Sequence, residues 1–268
     1  MDLQLSGKRA VVTGGSKGIG LAVARALVDE GAHVVLAARS ADALEAARAT
    51  LVGRARDGQQ VLAVPTDTTD DAAVRLLVDT TVAELGGVDV LVNAAAEPAP
   101  FGSPTALASL EDDELRRQME TKVLGYLRTA RAAAPHMTAQ GWGRIINVSG
   151  LAARQAGSAF GAIRNVAVAA LTKTLADELG RSGVNVTVVH PGMTVTERTP
   201  AMVEQVARAR GITEPEALAV LAQPVSIGRL VTAEEVADVV AFLASPRSVA
   251  VNGDAVAVGG GARGPIHY

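Results

Sequence analysis

The sequence predicts a doubly wound parallel α/β domain, and three observations point to it. Short apolar runs alternate with helix-periodic segments along nearly the whole chain, at a spacing that suits parallel strands joined by crossover helices. Near the start, an apolar run from Arg9 to Val12 leads through Gly14, Gly18 and Gly20 into a periodic segment (Ile19, Leu21, Ala22, Val23, Ala26, Leu27) that reads as a helix. The chain's 268 residues, 49% of them hydrophobic, suit one large core, and an aromatic content of 2% makes that core aliphatic and alanine-rich. No linker or second domain is visible, so residues 1–268 are expected to form a single domain.

The elements follow in order. After the first helix ends at Gly31, Ala32 to Ala38 is a second strand, and a helix runs through Leu44 and Ala47 to Leu51. A charged turn from Arg54 to Gly58 precedes a third strand, Val61 to Val64. Asp71 to Leu85 is a helix with Val74, Leu77, Val78 and Val82 on one face. Val88 to Val92 is a short fourth strand that leads into Asn93-Ala94-Ala95-Ala96 and a Pro/Gly/Ser-rich loop from Glu97 to Thr105. A long helix is expected from Leu115 to Ala139 and a fifth strand from Gly143 to Val148. A second long helix runs from about Ser158 to Leu179, with Ile163, Val166, Ala170, Leu171 and Leu175 at helical spacing. Val184 to Val189 is a sixth strand, ending in His190-Pro191-Gly192. Residues 198–226 are helical in pattern but interrupted by Pro200, Pro215 and Pro224, and read as an inserted helical lid over a small-molecule site. Thr232-Ala233-Glu234-Glu235 opens a further helix with a capping-type start. Ala255 to Val258 is the last strand, before Gly259-Gly260-Gly261.

Composition narrows the function classes. A net charge of −3, from 25 basic against 28 acidic residues with no basic block, disfavours nucleic acid and anionic membrane as partners. With no cysteine there is no disulfide, thiolate metal site or cysteine nucleophile, and no metal site is expected. Met1-Asp2-Leu3-Gln4 carries no basic region followed by an apolar run, and no apolar stretch is long enough to span a bilayer, so a soluble cytoplasmic protein is expected.

A strand, a glycine turn and a helix in succession have a specific chemistry. The glycines permit a tight turn and close backbone approach, while the helix N-terminus presents unpaired N–H groups and partial positive charge to a pyrophosphate. Because the turn at 13–20 also starts a repeating β–α pattern, dinucleotide binding is the stronger reading.

With these residues in view, the chain resembles the short-chain dehydrogenase/reductases over almost its whole length, which implies a Rossmann-type fold. Thr13-Gly14-Gly15-Ser16-Lys17-Gly18-Ile19-Gly20 matches that family's TGxxxGxG cofactor turn, which implies cofactor contacts at Gly14, Ser16, Lys17, Gly18, Ile19 and Gly20. Asp67, followed by Thr68, matches the acid that usually meets the adenine. Asn93, Ala94 and Ala95 belong to a loosened form of the NNAG stretch that closes over the adenosine ribose. Pro191 and Gly192, with Thr194 and Thr196, match the PGxxxT segment beside the nicotinamide carboxamide. At the end of the second strand, Ala38 stands where NAD users carry an acid, and Arg39 and Ser40 follow. Two cations, Lys17 and Arg39, and no carboxylate favour NADP(H) over NAD(H), against the plainer alternative that both are solvated surface charges.

The family's catalytic pattern breaks in this chain. A Ser, a Tyr, a Lys four residues later and an Asn on the preceding long helix ordinarily carry the acid–base chemistry. Aligned without gaps from Lys173 to Gly192, the Tyr position falls on Gly161 and the Lys position on Asn165. The Ser position falls on Gly150, one residue after Ser149, and the Asn position falls on Lys122. Asn and Lys thus exchange places, and Lys122, Ser149 and Asn165 become the candidate catalytic residues. Ser149 or Ser158 offers a hydroxyl, but an aliphatic hydroxyl is a far weaker acid than a tyrosine at about 10. Lys122, depressed by desolvation, is itself a candidate acid or base. Tyr126 lies on the same helical face but reads better as packing, and His190 as a satisfied structural histidine. Glu97 and Arg154 fit solvated charge better than substrate recognition.

Three functions remain open: a divergent NADP-dependent oxidoreductase acting on a small carbonyl or alcohol, a redox-neutral lyase or isomerase using the same cleft, and a non-catalytic NADP-binding protein. The resemblance also implies a homotetramer or homodimer, for which the alanine-rich helix faces (Ala130, Ala132, Ala133, Ala134, Ala167, Ala169, Ala170) allow close packing.

Overall fold

The structure, a computed structural model, describes residues 1–97 and 107–263. Most of the predicted loop from Glu97 to Thr105 therefore lies outside the described residues. Seven parallel strands form one sheet: β1 (Arg9–Thr13), β2 (His33–Ala38), β3 (Val61–Pro65), β4 (Val90–Asn93), β5 (Gly143–Val148), β6 (Val184–Pro191) and, after two short strands, β9 (Ala255–Val258). The short strands β7 (Thr194–Val195) and β8 (Val231–Thr232) pair only with each other. Around the sheet lie α1 (Gly18–Asp29), α2 (Ala41–Val52), α3 (Asp71–Leu85), α4 (Asp112–Gln118), α5 (Gly125–Ala139), α6 (Ala159–Leu179), α7 (Thr199–Arg210), α8 (Glu214–Ala222) and α9 (Ala233–Ala244).

The strand order is β3-β2-β1-β4-β5-β6-β9, so the winding reverses between β1 and β4. In an open α/β sheet, ligands bind outside the carboxyl ends of the strands at this switch point. Here it falls between Thr13 and Asn93, which are register partners.

The apolar runs explain why both faces of the sheet are covered. Within β2, Val34 and Leu36 join the layer packed by α1 and α9, while Val35 and Ala37 join the opposite layer with Leu77 and Val78 of α3 and Met137 of α5. Ile146 and Ile145 divide the same way in β5. A strand buried on both sides needs apolar residues at every position, not alternate ones.

Most element boundaries agree with the sequence to within two residues. The fourth strand begins at Val90, and the sixth continues to Pro191. The long helix expected from Leu115 opens earlier, at Asp112, and passes through a π-helical turn, Met119–Leu124, before α5. In the predicted lid, Pro200 and Pro215 sit in the first turns of α7 and α8. Proline has no N–H to lose there and its fixed φ suits a helix start, so these two prolines open helices where the pattern suggested interruptions. Val203, Val206 and Ala207 of α7 pack against Ala217 of α8. Thr232 caps α9 through a reciprocal capping box with Glu235. Among the described residues, no helix is long and apolar enough to cross a membrane.

Candidate active site

The site is built on strand ends. At the end of β1, Thr13 Oγ1 accepts hydrogen bonds from the N–H groups of Ala94 (3.2 Å) and Ala95 (3.3 Å), which ties the glycine turn to the segment after β4. Gly14 has a φ of +67°, and a Cβ there would lie 2.8 Å from the Ala94 carbonyl and the Ala95 nitrogen. A Cβ on Gly20 would lie 2.2 Å from the Gly14 oxygen. Both positions therefore require glycine, one for conformation and contact and the other for contact alone.

The start of α1 has no acid in its first turn and receives no cap from the Lys17 side chain. Its Gly18 N–H donates instead to Glu197 Oε2, 3.1 Å away. A carboxylate of the chain thus occupies an anion position at this N-terminus. That observation shows that the turn accepts negative charge, as the diphosphate of a dinucleotide requires, and the residues fit that group.

Around this turn the remaining predicted cofactor residues take different roles. Ser16 and Ile19 are half-buried in the turn and Lys17 is exposed. Arg39 is exposed as well, with Nη1 3.2 Å from Glu97 Oε1. Ser40 caps α2 by accepting from the Ala43 N–H. Asp67 Oδ1 accepts from the N–H and hydroxyl of Thr69, and the backbone hydrogen bond is the main reason its carboxyl is held below the usual range. Thr68 is buried, and its carbonyl accepts from Arg128. The side chain of Asn93 is occupied inside the sheet: its amide donates to Asn147 Oδ1 at 3.0 Å and its oxygen accepts from Thr129 at 2.7 Å. This leaves the backbone of residues 93–95 facing the switch point.

At the end of β6, Pro191 is buried and the Gly192 N–H donates to the Val258 carbonyl at 3.1 Å. Thr194 Oγ1 donates to the Gly192 carbonyl at 3.0 Å. Thr196 Oγ1 accepts from the Arg198 N–H, and the Thr196 N–H donates to Thr199 Oγ1 at 2.9 Å. A cavity of about 480 Å³ opens beside this segment, lined by Met193, Thr194, Thr196, Glu197 and Met202 among others.

The three candidate catalytic residues form one connected cluster. Lys122 sits within the π-helical turn, a local widening often found at functional positions. It is only 5% exposed, and its Nζ donates to the Ser149 carbonyl at 2.9 Å. Burial, assisted by the nearby Arg164 charge, pushes its amine down to about 7. Ser149 Oγ donates to the Asn165 carbonyl at 3.1 Å. The Asn165 side chain is buried, and its Oδ1 has no hydrogen-bond partner among the described residues.

The other sequence candidates are placed in structural roles. Tyr126 packs with Val168 and Val188, and its hydroxyl donates to the Val148 carbonyl at 2.9 Å; burial raises its pKa. Ser158 caps α6 by accepting from the Gly161 N–H at 3.1 Å, and a Cβ on Gly161 would lie 2.9 Å from that hydroxyl. Arg154 donates to the Ala255 carbonyl. His190 is buried near the end of β6.

Three residues escaped the sequence reading. Arg164, the first charge along α6 and the neighbour of Asn165, is half-buried and donates through Nη1 to the Glu97 carbonyl at 3.0 Å; burial lowers its pKa. Gln118, four residues before Lys122, is buried and donates to Glu114. Glu197 follows the PGxxxT segment directly. Only Glu197 left an indirect signal: a helix start with neither an acid nor a capping side chain must be satisfied from elsewhere.

The chain is similar to known proteins over most of its length. The family profile described as short chain dehydrogenase matches residues 8–207. The chain is 36% identical over 253 residues to the short-chain reductase protein NovJ of Streptomyces niveus, spanning 94% of this chain and 92% of that protein. It is 37% identical over 255 residues to the cis-4-hydroxycyclohexanecarboxylate dehydrogenase of Sinomonas cyclohexanicum, spanning 94% and 95%. Among solved structures, the L-sorbose reductase of Gluconobacter frateurii, complexed with NADPH and L-sorbose, superposes with a TM-score of 0.89 at 32% identity over 98% of each chain.

Proposed function

The chain belongs to the short-chain dehydrogenase/reductase family, and from that premise we propose that it is an NADP(H)-dependent oxidoreductase of a small carbonyl or alcohol substrate, with Lys122, Ser149 and Asn165 at its reacting centre. The observation that carries this reading is the buried Lys122 amine, 2.9 Å from the Ser149 carbonyl, in a residue whose hydroxyl is tied to Asn165. A bound nicotinamide supplies or accepts the hydride.

The chain's own residues do the rest. The glycine turn and the α1 N-terminus hold the diphosphate; Lys17 and Arg39 pair with the 2′-phosphate, in a chain that has Ala38 where an acid would serve NAD. Asp67 meets the adenine, and the backbone of residues 93–95 borders the ribose. Pro191, Gly192, Thr194 and Thr196 border the nicotinamide. Ser149 orients the substrate oxygen by turning its hydroxyl from the Asn165 carbonyl to the substrate, and Asn165 holds ribose hydroxyls with its Oδ1, which has no partner among the described residues. Lys122 donates the proton to the oxygen in reduction and takes it back in oxidation. With a value of about 7, its charged and neutral forms are comparably populated near neutral pH, where proton transfer is most efficient. No phenol is needed in this scheme. Helix α7, backed by α8, walls the cavity as the lid.

The NADPH complex of L-sorbose reductase supports the choice of cofactor. We place the protein in the cytoplasm as a homotetramer or homodimer built on α5 and α6, where Ile163 and Val166 are exposed. The test is a pair of titrations, NADPH against NADH, followed by cofactor absorbance with a panel of small ketones, aldehydes and alcohols. Tighter NADPH binding with cofactor turnover is the expected result. No binding of either nucleotide would remove the proposal.

A further inference from the structure

The hydrogen bond between Gly18 and Glu197 has a consequence for cofactor binding, and it rests on the dinucleotide reading above. We propose that Glu197 is an internal competitor for the cofactor: its carboxylate holds the α1 N-terminus in the free protein and has to leave when the diphosphate arrives.

The Gly18 N–H is a single donor, and it is already taken. Glu197 Oε2 accepts from the Gly18 N–H at 3.1 Å. The position of a Gly18 Cβ lies 3.8 Å from both Glu197 oxygens and from Thr196 Cγ2, so the carboxylate sits directly against the backbone of the turn. The diphosphate and the carboxylate seek the same donor and the same partial positive charge, and as like charges they repel each other. The carboxylate is also easily released. Glu197 is exposed and forms no ion pair among the described residues.

Its place in the chain links this exchange to the cavity beside β7 and α7. Glu197 lies between β7 and α7, two residues before Thr199 opens the helix that packs on α8. It also lines the cavity of about 480 Å³ together with Met193 and Met202. Expelling the carboxylate therefore moves a wall of that cavity and the root of the helical pair.

Glu197→Ala tests this, with Glu197→Gln as the conservative partner that keeps the side-chain shape and removes the charge. Both substitutions are at an exposed position. The free Ala variant is expected to melt about 2 °C below the wild type, because α1 loses its cap. In calorimetry the same variant is expected to bind NADPH about tenfold more tightly, since no anion has to be displaced, with Gln intermediate. Wild type that binds NADPH while the Ala variant binds equally or more weakly would overturn the competitor role and leave the cofactor assignment intact. Absence of binding in all three proteins would overturn both.

Discussion

At Lys122, the state of the amine follows from where the sheet and α6 leave the side chain. An exposed lysine is a solvated charge, but here the amine is buried and reaches one backbone carbonyl, with Arg164 as a neighbouring like charge. Its value of about 7 in the folded state lies below the 10.5 of a solvated lysine. Between those values the unfolded chain binds the extra proton, so this group makes stability rise with pH; below about 7 both states are protonated and the penalty is constant. In denaturant unfolding over a pH series, Lys122→Met is thus expected to gain most over the wild type at pH 7 and below. The gain should shrink, by an amount on the order of a few kcal/mol, as pH approaches 10; a difference independent of pH would contradict desolvation of the amine. Arg39 gives a second prediction at this scale. Arg39→Ala is expected to weaken NADPH binding about tenfold or more and leave NADH unchanged, because only the former loses a charge-assisted hydrogen bond. Equal losses for both would show that Arg39 does not read the phosphate. The helical positions of Lys122 and Asn165 could be read from the sequence because helix residues are countable. The Arg164 contact could not, since it depends on the side chain reaching the Glu97 carbonyl, 67 residues away in the chain.

The glycine turn shows what an element adds to its residues. Gly20 is well inside the first turn of α1, where alanine would ordinarily favour the helix. The 2.2 Å approach to the Gly14 oxygen reverses that preference. Gly20→Ala is expected to lower stability by about 2 kcal/mol or more and to abolish NADPH binding in calorimetry, because the turn must open; wild-type affinity in that variant would mean the close approach is dispensable. Signals at element scale were mostly visible in the sequence: strand runs, caps and glycines. The signals that failed have physical reasons. A π-helical turn adds one residue to a helix and leaves no change in composition, so Met119–Leu124 reads as ordinary helix. Two-residue strands such as β7 and β8 are too short to show a period. Pro200 and Pro215 look like breaks because a proline that ends one helix and one that begins another have the same side chain; only the backbone around them differs.

Across the whole molecule, a parallel sheet brings its chemistry to one end and its structural polar contacts to the other. Thr13, Asn93, Ser149 and Pro191 are at or just beyond carboxyl ends of strands, whereas Arg9 and Asp89 meet at the opposite edge. Arg9 Nε and Nη2 donate to Asp89 at 2.7 and 2.8 Å, and Nη2 also donates to Gln140, so the pair joins β1 to the end of α5. Burial alone would raise the Asp89 carboxyl, but the side-chain and backbone hydrogen bonds from Arg9 outweigh it and hold it below 3.8. The stabilisation is therefore present above about pH 4 and lost as pH falls through the lowered folded-state value. Asp89→Asn is expected to cost about 3 kcal/mol at neutral pH, with the deficit narrowing in acid, measured by unfolding at a series of pH values; a deficit that is constant with pH would assign the loss to packing. The doubly wound, layered fold was legible because apolar runs of strand length repeat between amphipathic helices; the place of the reversal, between β1 and β4, is set by strand pairing that periodicity does not carry. The proposed function stands on a buried lysine that handles the proton beside a bound phosphorylated nicotinamide. The most direct measurement compares NADPH-linked carbonyl reduction and NADPH binding in wild type and Lys122→Met. Lys122→Met is expected to lose about a hundredfold or more in kcat with binding retained, whereas unchanged turnover would rule out proton transfer by Lys122.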